Sequence, residues 1–280
     1  MGQLDNIVNQ IMGRDQKVIS YTSPSDPVLR RIVINSLEMI TGRNSLEVAY
    51  QRLKTLNKQG YNVWTEALAV LNIHLSYSED RLNAIPSTGS LVVIANHPFG
   101  VVDGLALGKI LSLVRQDFFL IVNKALCKEE MLGSRLLPID FAGTRDAMKT
   151  NINTRKRAIE IVKNGGAVGI FPSGGVATAK NPFRTAQDLE WKQFLVKLVR
   201  PTATNVLPIF FKGKNSPWFQ WASFINPNLR LGLLLNEVNN KRGSTIEVQI
   251  GDLLPAETLS TLDRSTMLDF LKDKTMSLAD

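Results

Sequence analysis

The chain has 280 residues, of which 44% are apolar, and its net charge is +8. This size and composition predict a globular protein with a packed core, and they exclude a disordered or fibrous chain. Cys127 is the only cysteine, so an intrachain disulfide is excluded, and one cysteine with two histidines makes a metal site unexpected. The best candidate for a membrane span, residues 104–114, contains Lys109 and is too short to cross a bilayer.

Helical periodicity dominates the first quarter of the chain. Apolar residues recur at helical spacing over residues 27–40, 45–56 and 62–73, with breaks at Gly42 and Gly60. This pattern predicts an N-terminal helical segment over residues 1–80. His74 follows the last stretch without the polar neighbours of a site, so we interpret it as structural.

Short apolar runs alternate with helical patterns in the rest of the chain. The predicted strands are residues 91–95, 118–122, 136–140, 167–171, 205–211 and 245–250, and a closing helix follows Pro255. This alternation predicts an α/β domain over residues 81–280, with a mixed, largely parallel central sheet flanked by helices.

The segment NHPFGVVDG, residues 96–104, joins the first of these strands to a predicted helix. His97 lies just past the end of the strand, and Asp103 falls at or near the start of the helix. The turn through Pro98 and Gly100 brings the carboxylate within reach of the imidazole. Such a carboxylate orients a histidine that acts as a general base, and ligands of open α/β sheets bind at this edge. A loop histidine and an ordinary helix cap are the alternative.

A second candidate site is IFPSGGVAT, residues 170–178, which also follows a predicted strand. Its consecutive glycines, Gly174 and Gly175, allow backbone N–H groups to approach an oxyanion closely. An ordinary tight turn is the alternative.

Positive charge is concentrated in the middle of the chain. Residues 124–214 contain 16 Lys and Arg against 7 Asp and Glu, a balance of +9, so the flanking regions together are close to neutral. This predicts an anionic partner such as a phosphate, an acidic carrier protein or an anionic lipid surface. No nucleic-acid-binding motif accompanies the charge, so nucleic acid is not expected as a partner. A solvated basic surface is the alternative.

Five motifs in order, NHPxGxxDG, NKAL, LLPID, GIFPSGG and VLPIFFKGKNS, resemble the glycerolipid acyltransferase superfamily over roughly residues 81–255. They are most similar to its bacterial hemolysin-like branch, some of whose members acylate lyso-amino-acid lipids. The resemblance implies the glycerolipid acyltransferase fold and transfer of a fatty acyl group from acyl-CoA or acyl carrier protein to a lysolipid hydroxyl. It implies His97 as the general base, Asp103 as the residue that orients it, and no cofactor besides the acyl donor.

The resemblance also implies a set of substrate-binding residues. These are Asn96, Pro98, Gly100, Lys124, Arg145, Phe171, Pro172, Ser173, Gly174 and Gly175. The chain departs from the superfamily where most members have FPEG, because Ser173 replaces the glutamate. The hemolysin-like branch often has a glutamate where this chain has Gly175, and Arg135 and Arg145 are the nearest matches to an arginine that usually follows the LPID strand. These departures favour either an acceptor whose head group is not glycerol phosphate or a loss of activity.

Aromatic residues cluster in SPWFQWASF, residues 216–224, beside Lys212 and Lys214. Trp218, Phe219, Trp221 and Phe224 predict a patch that rests on an anionic bilayer, and a core position is the alternative. We therefore expect a cytoplasmic protein that associates peripherally with the inner face of the plasma membrane.

Two other classes of function remain open at this stage. A serine hydrolase would use Ser173 as nucleophile and His97 as base, although the full G-x-S-x-G elbow is missing. A noncatalytic lipid-binding or carrier-binding protein would not depend on His97.

Overall fold

The computed structural model describes residues 43–128, 134–179, 186–225 and 227–280. Its strands are β1 His74–Ser76, β2 Leu91–Ala95, β3 Phe118–Asn123, β4 Leu136–Ile139, β5 Ala167–Ile170, β6 Asn205–Phe211 and β7 Thr245–Ile250. Within the described ranges they form one sheet in the order β1-β7-β6-β2-β5-β3-β4. Every neighbouring pair is parallel except β6 with β7, which is antiparallel. The predicted mixed, largely parallel sheet is therefore confirmed.

Helices flank this sheet. They are α1 Arg43–Lys58, α2 Val63–Val70, α3 Glu79–Asn83, α4 Val101–Val114, α5 Arg145–Lys163, α6 Phe194–Val199, α7 Pro217–Ile225, α8 Pro227–Asn240, α9 Ala256–Ser260 and α10 Arg264–Met276. The helix predicted over residues 27–40 lies outside the described residues, whereas α1, α2 and α10 match predicted helices. No described helix has both the length and the apolar character needed to cross a membrane.

All six predicted strands are present, and three of them, β2, β6 and β7, have the predicted bounds. Strand β1, whose three residues pair with Thr245–Glu247 of β7, was not predicted from the sequence. His74 begins this strand with its side chain exposed, and its backbone N–H donates to the Ser244 carbonyl at 2.9 Å. His74 thus contributes to the edge of the sheet through its backbone hydrogen bond.

The sheet separates two apolar cores. Leu91, Val93 and Ala95 of β2 point into one core, and Val92 and Ile94 point into the other. All five side chains are fully buried, because β2 lies between β5 and β6 and is covered on both faces. This explains why the central strand is a continuous apolar run.

Local hydrogen bonds fix the helix starts. The Asn62 side chain accepts from the Trp64 N–H at 3.0 Å and caps α2. Thr144 caps α5 in the same way by accepting from the Ala147 N–H at 3.1 Å. Both caps satisfy N–H groups that would otherwise lack a partner at the first turn.

The aromatic segment after β6 forms α7, and its residues divide between two environments. Phe219 is completely buried with Val176 and Leu234, so the prediction that it belongs to a membrane-facing patch is wrong. Trp218 and Trp221 remain 78% and 46% exposed on the opposite side of the helix. Helical periodicity causes this division, since a residue next in sequence lies about 100° further around the helix.

Candidate active site

A cavity of about 780 Å³ lies at the carboxyl edge of the parallel strands. The loops that follow β2, β3, β4 and β5 form its walls, and one side is closed by α8. Asn96 holds two strand ends together here, because its side chain donates to the Phe211 carbonyl at 2.9 Å and accepts from the Phe211 N–H at 2.7 Å. This is the edge at which ligands bind in open α/β sheets.

His97 and Asp103 meet as the sequence predicts. His97 Nδ1 lies 2.9 Å from Asp103 Oδ2, and the same oxygen accepts from the N–H groups of Phe99 at 2.8 Å and Gly100 at 2.9 Å. The Asp103 side chain is completely buried. Because a carboxylate only accepts hydrogen bonds, Nδ1 carries the ring proton and Nε2 presents a lone pair.

Gly100 makes the close approach possible despite the five residues between His97 and Asp103. It is the N-cap of α4 and has a φ of +89°, a conformation that favours glycine. A Cβ atom at Gly100 would lie 3.1 Å from Leu234 Cδ2 and 3.2 Å from Val176 Cγ2. The chain therefore turns sharply between His97 and Asp103, and Asp103 lies at the third position of α4 near the positive end of the helix dipole.

The His97 ring is held from several sides. It stacks on Phe171, with ring centroids 4.2 Å apart and planes inclined by 20°. Its backbone N–H donates to Asp188 Oδ1 at 3.0 Å, and its carbonyl accepts from the Ala177 N–H at 2.7 Å. The ring lines the cavity, and Nε2 has no partner among the residues that the structure describes. The His97 ring is thus held in one orientation at the cavity wall.

Asp188 was missed by the sequence analysis. Besides accepting from His97, it accepts from Trp191 Nε1 at 3.0 Å. Burial raises the pKa of the Asp188 carboxyl above its ordinary value. It lies 91 residues after His97 in an irregular segment, so no local pattern could have linked the two.

The FPSGG motif borders the cavity, but its parts differ in their accessibility. Phe171, Pro172, Gly174 and Gly175 line the cavity. Ser173 is 98% buried, and its hydroxyl donates to the Gly175 carbonyl at 2.9 Å. Its side chain therefore has the bonding of a structural turn residue, not of a nucleophile that donates to His97.

The two glycines also differ. The Gly174 N–H donates to the Phe171 carbonyl at 2.9 Å, so this N–H is not free for an oxyanion. The Gly175 N–H has no acceptor among the described residues. Gly175 is therefore the glycine of this motif that retains a backbone donor.

The remaining predicted binding residues are dispersed. Lys124 lines the cavity and pairs with Asp140 at 3.0 Å. Hydrogen bonds from the Ala142 N–H and from Lys124 lower the pKa of the Asp140 carboxyl. Arg145 is exposed at the start of α5 and is absent from the cavity lining, and Pro98 is buried in the turn. The structure thus brings Lys124, but not Arg145, to the cavity.

Three basic residues in the cavity lining lie outside the sequence motifs, namely Arg155, Lys192 and Arg230.

Cys127 also lines the cavity, and burial raises the pKa of its thiol to about 11. This thiol is protonated at neutral pH, which excludes a thiolate nucleophile there. In the described ranges, no group of three or more His, Cys, Asp or Glu side chains is placed to hold a metal ion.

A buried carboxylate, an oriented histidine and a mainly apolar cavity with basic groups lie together here, an arrangement typical of an enzyme site for an amphiphilic substrate. The family model described as Acyltransferase matches residues 64–279, and the chain belongs to this family. This match confirms the resemblance on which the sequence analysis relied, and with it the prediction of an acyltransferase.

The chain is also similar to two characterised bacterial proteins. It is 27% identical over 257 residues to a lyso-glycine lipid O-acyltransferase of Phocaeicola vulgatus, covering 87% of this chain and 86% of that protein. It is 25% identical over 251 residues to a lyso-glycine lipid O-acyltransferase of Bacteroides thetaiotaomicron, covering 86% of this chain and 88% of that protein.

A solved structure shows a more distant likeness. It is the 1-acyl-sn-glycerophosphate acyltransferase PlsC of Thermotoga maritima, with a TM-score of 0.49 and 14% identity. The similarity covers 99% of this chain and 87% of that one.

Proposed function

We propose that this protein transfers a fatty acyl group from a thioester to the hydroxyl of a lysolipid with an amino-acid head group, of the lyso-glycine class. Two lyso-glycine lipid O-acyltransferases align with nearly the whole chain. Ser173 and Gly175 replace the acidic residues that the glycerol-phosphate pattern and the hemolysin-like branch have in this motif, which also favours a different head group.

The observation that carries this proposal is the His97–Asp103 pair at the cavity wall. His97 Nε2 accepts the proton of the acceptor hydroxyl while the oxygen attacks the thioester carbonyl. The tetrahedral intermediate collapses, the C–S bond breaks, and His97 returns the proton to the thiolate. The products are an ester and a free thiol, and Asp103 stabilises the imidazolium between the two proton transfers.

The Gly175 N–H is the backbone donor that we assign to the oxyanion of the intermediate. The acyl donor is acyl-CoA or acyl carrier protein, and no metal or further cofactor takes part. Apolar side chains such as Ile121, Ile139 and Leu195 line the cavity, and they provide the surface that a fatty acyl chain requires.

We also propose that the protein works at the inner face of the plasma membrane. Both candidate donors are cytoplasmic, and the acceptor resides in the bilayer. Trp218, Trp221 and Phe224 of α7 are 78%, 46% and 59% exposed, and aromatic rings are favoured at a membrane interface.

The test is transfer of labelled palmitoyl from its carrier-protein and coenzyme A thioesters to lyso-glycine lipid and lysophosphatidate. We expect wild type to acylate lyso-glycine lipid, and His97→Ala to lower kcat/KM by about 10²- to 10⁴-fold. Ser173→Ala is the matched control and should retain most of the activity.

Other outcomes would contradict the proposal. Thioester or ester hydrolysis without transfer, abolished by Ser173→Ala, would identify a serine hydrolase. Neither transfer nor hydrolysis by a folded wild type would identify a lipid-binding protein.

A further inference from the structure

Four basic side chains line the cavity, namely Lys124, Arg155, Lys192 and Arg230. The first three have a partner or a solvated environment. Lys124 pairs with Asp140 at 3.0 Å. Arg155 is exposed, with its guanidinium 5.4 Å from the centre of the Phe194 ring. The Lys192 side chain is 62% exposed. Water or a neighbouring side chain thus compensates each of these charges.

Arg230 differs from the other three. It is half-buried, and it has neither a hydrogen bond nor an ion pair with any residue that the structure describes. Burial lowers the pKa of its guanidinium from the ordinary value, although arginine stays charged at neutral pH. A partly dehydrated cation that has no counter-ion among the described residues is costly, and an anionic ligand in the cavity would offset that cost.

Arg230 lies on the helix that packs against the turn between His97 and Asp103. It lies one helical turn before Leu234 on α8, so the two side chains share a face of the helix. Leu234 packs against the turn at Gly100, whose N–H holds Asp103. His97, Arg230 and Leu234 all line the cavity. Arg230 and His97 therefore face the same cavity.

We propose that Arg230 binds the carboxylate of the acceptor's amino-acid head group while His97 meets the acceptor hydroxyl. This inference rests on the proposed function and adds a residue that selects the acceptor. The planar guanidinium offers two parallel N–H groups, which match the two oxygens of a carboxylate. A donor phosphate is the other oxyanion available to this cation, and the experiment separates the two sources.

The first test measures binding alone. N-lauroylglycine, which has the carboxylate but no hydroxyl to acylate, is titrated below its critical micelle concentration and compared with N-lauroylglycinamide. We expect Arg230→Gln to weaken N-lauroylglycine binding about 10- to 100-fold and to leave the amide unchanged. Arg242→Gln removes the same charge from an exposed residue just after α8 and should leave both affinities unchanged. An equal change for both ligands, or none for either, would overturn the assignment.

The second test uses turnover and identifies the source of the oxyanion. Arg230→Gln should raise KM for lyso-glycine lipid and leave KM for the thioester donor unchanged, with partial recovery in Arg230→Lys. A raised KM for the donor alone would assign Arg230 to a donor phosphate instead. The binding test needs no turnover, so carboxylate binding by a wild type that transfers no acyl group would refute the proposed function and not the role of Arg230.

Discussion

The replacement Asp103→Asn tests how the carboxylate acts, because the structure fixes the orientation of the new side chain. Asp103 Oδ2 accepts from the N–H groups of Phe99 and Gly100 as well as from His97 Nδ1. An Asn side chain must place its oxygen at this position, since an NH₂ group there would face two N–H donors. His97 then keeps its hydrogen bond and its tautomer, while the variant loses the negative charge and places an NH₂ group at the buried Oδ1 position, which has no hydrogen-bond partner among the described residues.

The size of the expected loss in kcat follows from the distance between the two charges. With Nδ1 and Oδ2 2.9 Å apart, the charge centres of imidazolium and carboxylate are about 4 Å apart, which corresponds to about 4 kcal/mol at an effective dielectric constant of about 20. Each 1.36 kcal/mol of barrier is worth about tenfold in rate. We therefore expect Asp103→Asn to lower kcat by up to about 10³-fold.

The assay is kcat for acyl transfer at saturating donor, measured for each single variant and for His97→Ala combined with Asp103→Asn. Because Asp103 acts through His97, the double variant should be no slower than His97→Ala alone. Asp103→Asn keeps an acceptor for the N–H groups of Phe99 and Gly100 but buries an NH₂ group without a described partner, so it should be less destabilised than Asp103→Ala, which leaves both buried N–H groups without an acceptor and should lose about 1–3 kcal/mol for each of them. A wild-type kcat in Asp103→Asn, or additive losses in the double variant, would refute the reasoning.

Two further predictions concern packing and membrane contact. A Cβ atom at Gly108 would lie 2.1 Å from a ring atom of the buried Trp64, so Gly108→Ala should cost about 1–3 kcal/mol in urea unfolding. Gly104→Ala on the same helix meets nothing within 4 Å and should not destabilise, and an equal loss in both variants would contradict this explanation. Replacing Trp218 and Trp221 of α7 together by Ser should weaken binding to anionic vesicles about tenfold in a sedimentation assay. Unchanged sedimentation would exclude α7 as the membrane contact.

The strands and the contact between His97 and Asp103 were predictable from the sequence because their signals are local. A parallel strand covered on both faces is a short apolar run, as in Leu91–Ala95, and such runs stand out between polar segments. His97 and Asp103 lie within one strand–turn–helix unit, so their contact depends mainly on the conformation of a single turn.

Features that depend on distant parts of the chain were not predictable. Strand β1 has three residues and exists because β7, about 170 residues later, supplies its partner. Asp188 reaches His97 from a segment without regular structure. The direction of the Ser173 hydroxyl depends on one backbone carbonyl two residues away, and a motif defines residue types, not rotamers.

Helices α7 and α8 link the exposed aromatic rings, which we propose contact the membrane, to the cavity that would bind the acceptor. One side of α7 exposes aromatic rings, and its other side packs Phe219 against Leu234 of α8. Leu234 and Arg230, both on α8, line the cavity that also contains His97. A lysolipid that leaves the bilayer beside α7 would therefore meet α8 next. The superfamily motifs lie at the strand ends and include His97 and Asp103, whereas Arg230 lies outside these motifs. Acceptor choice can then change by substitutions in α7 and α8 while His97 and Asp103 stay the same. Replacing α7 and α8 with the corresponding helices of a glycerophosphate-specific relative should therefore change the head-group preference without removing acyl transfer.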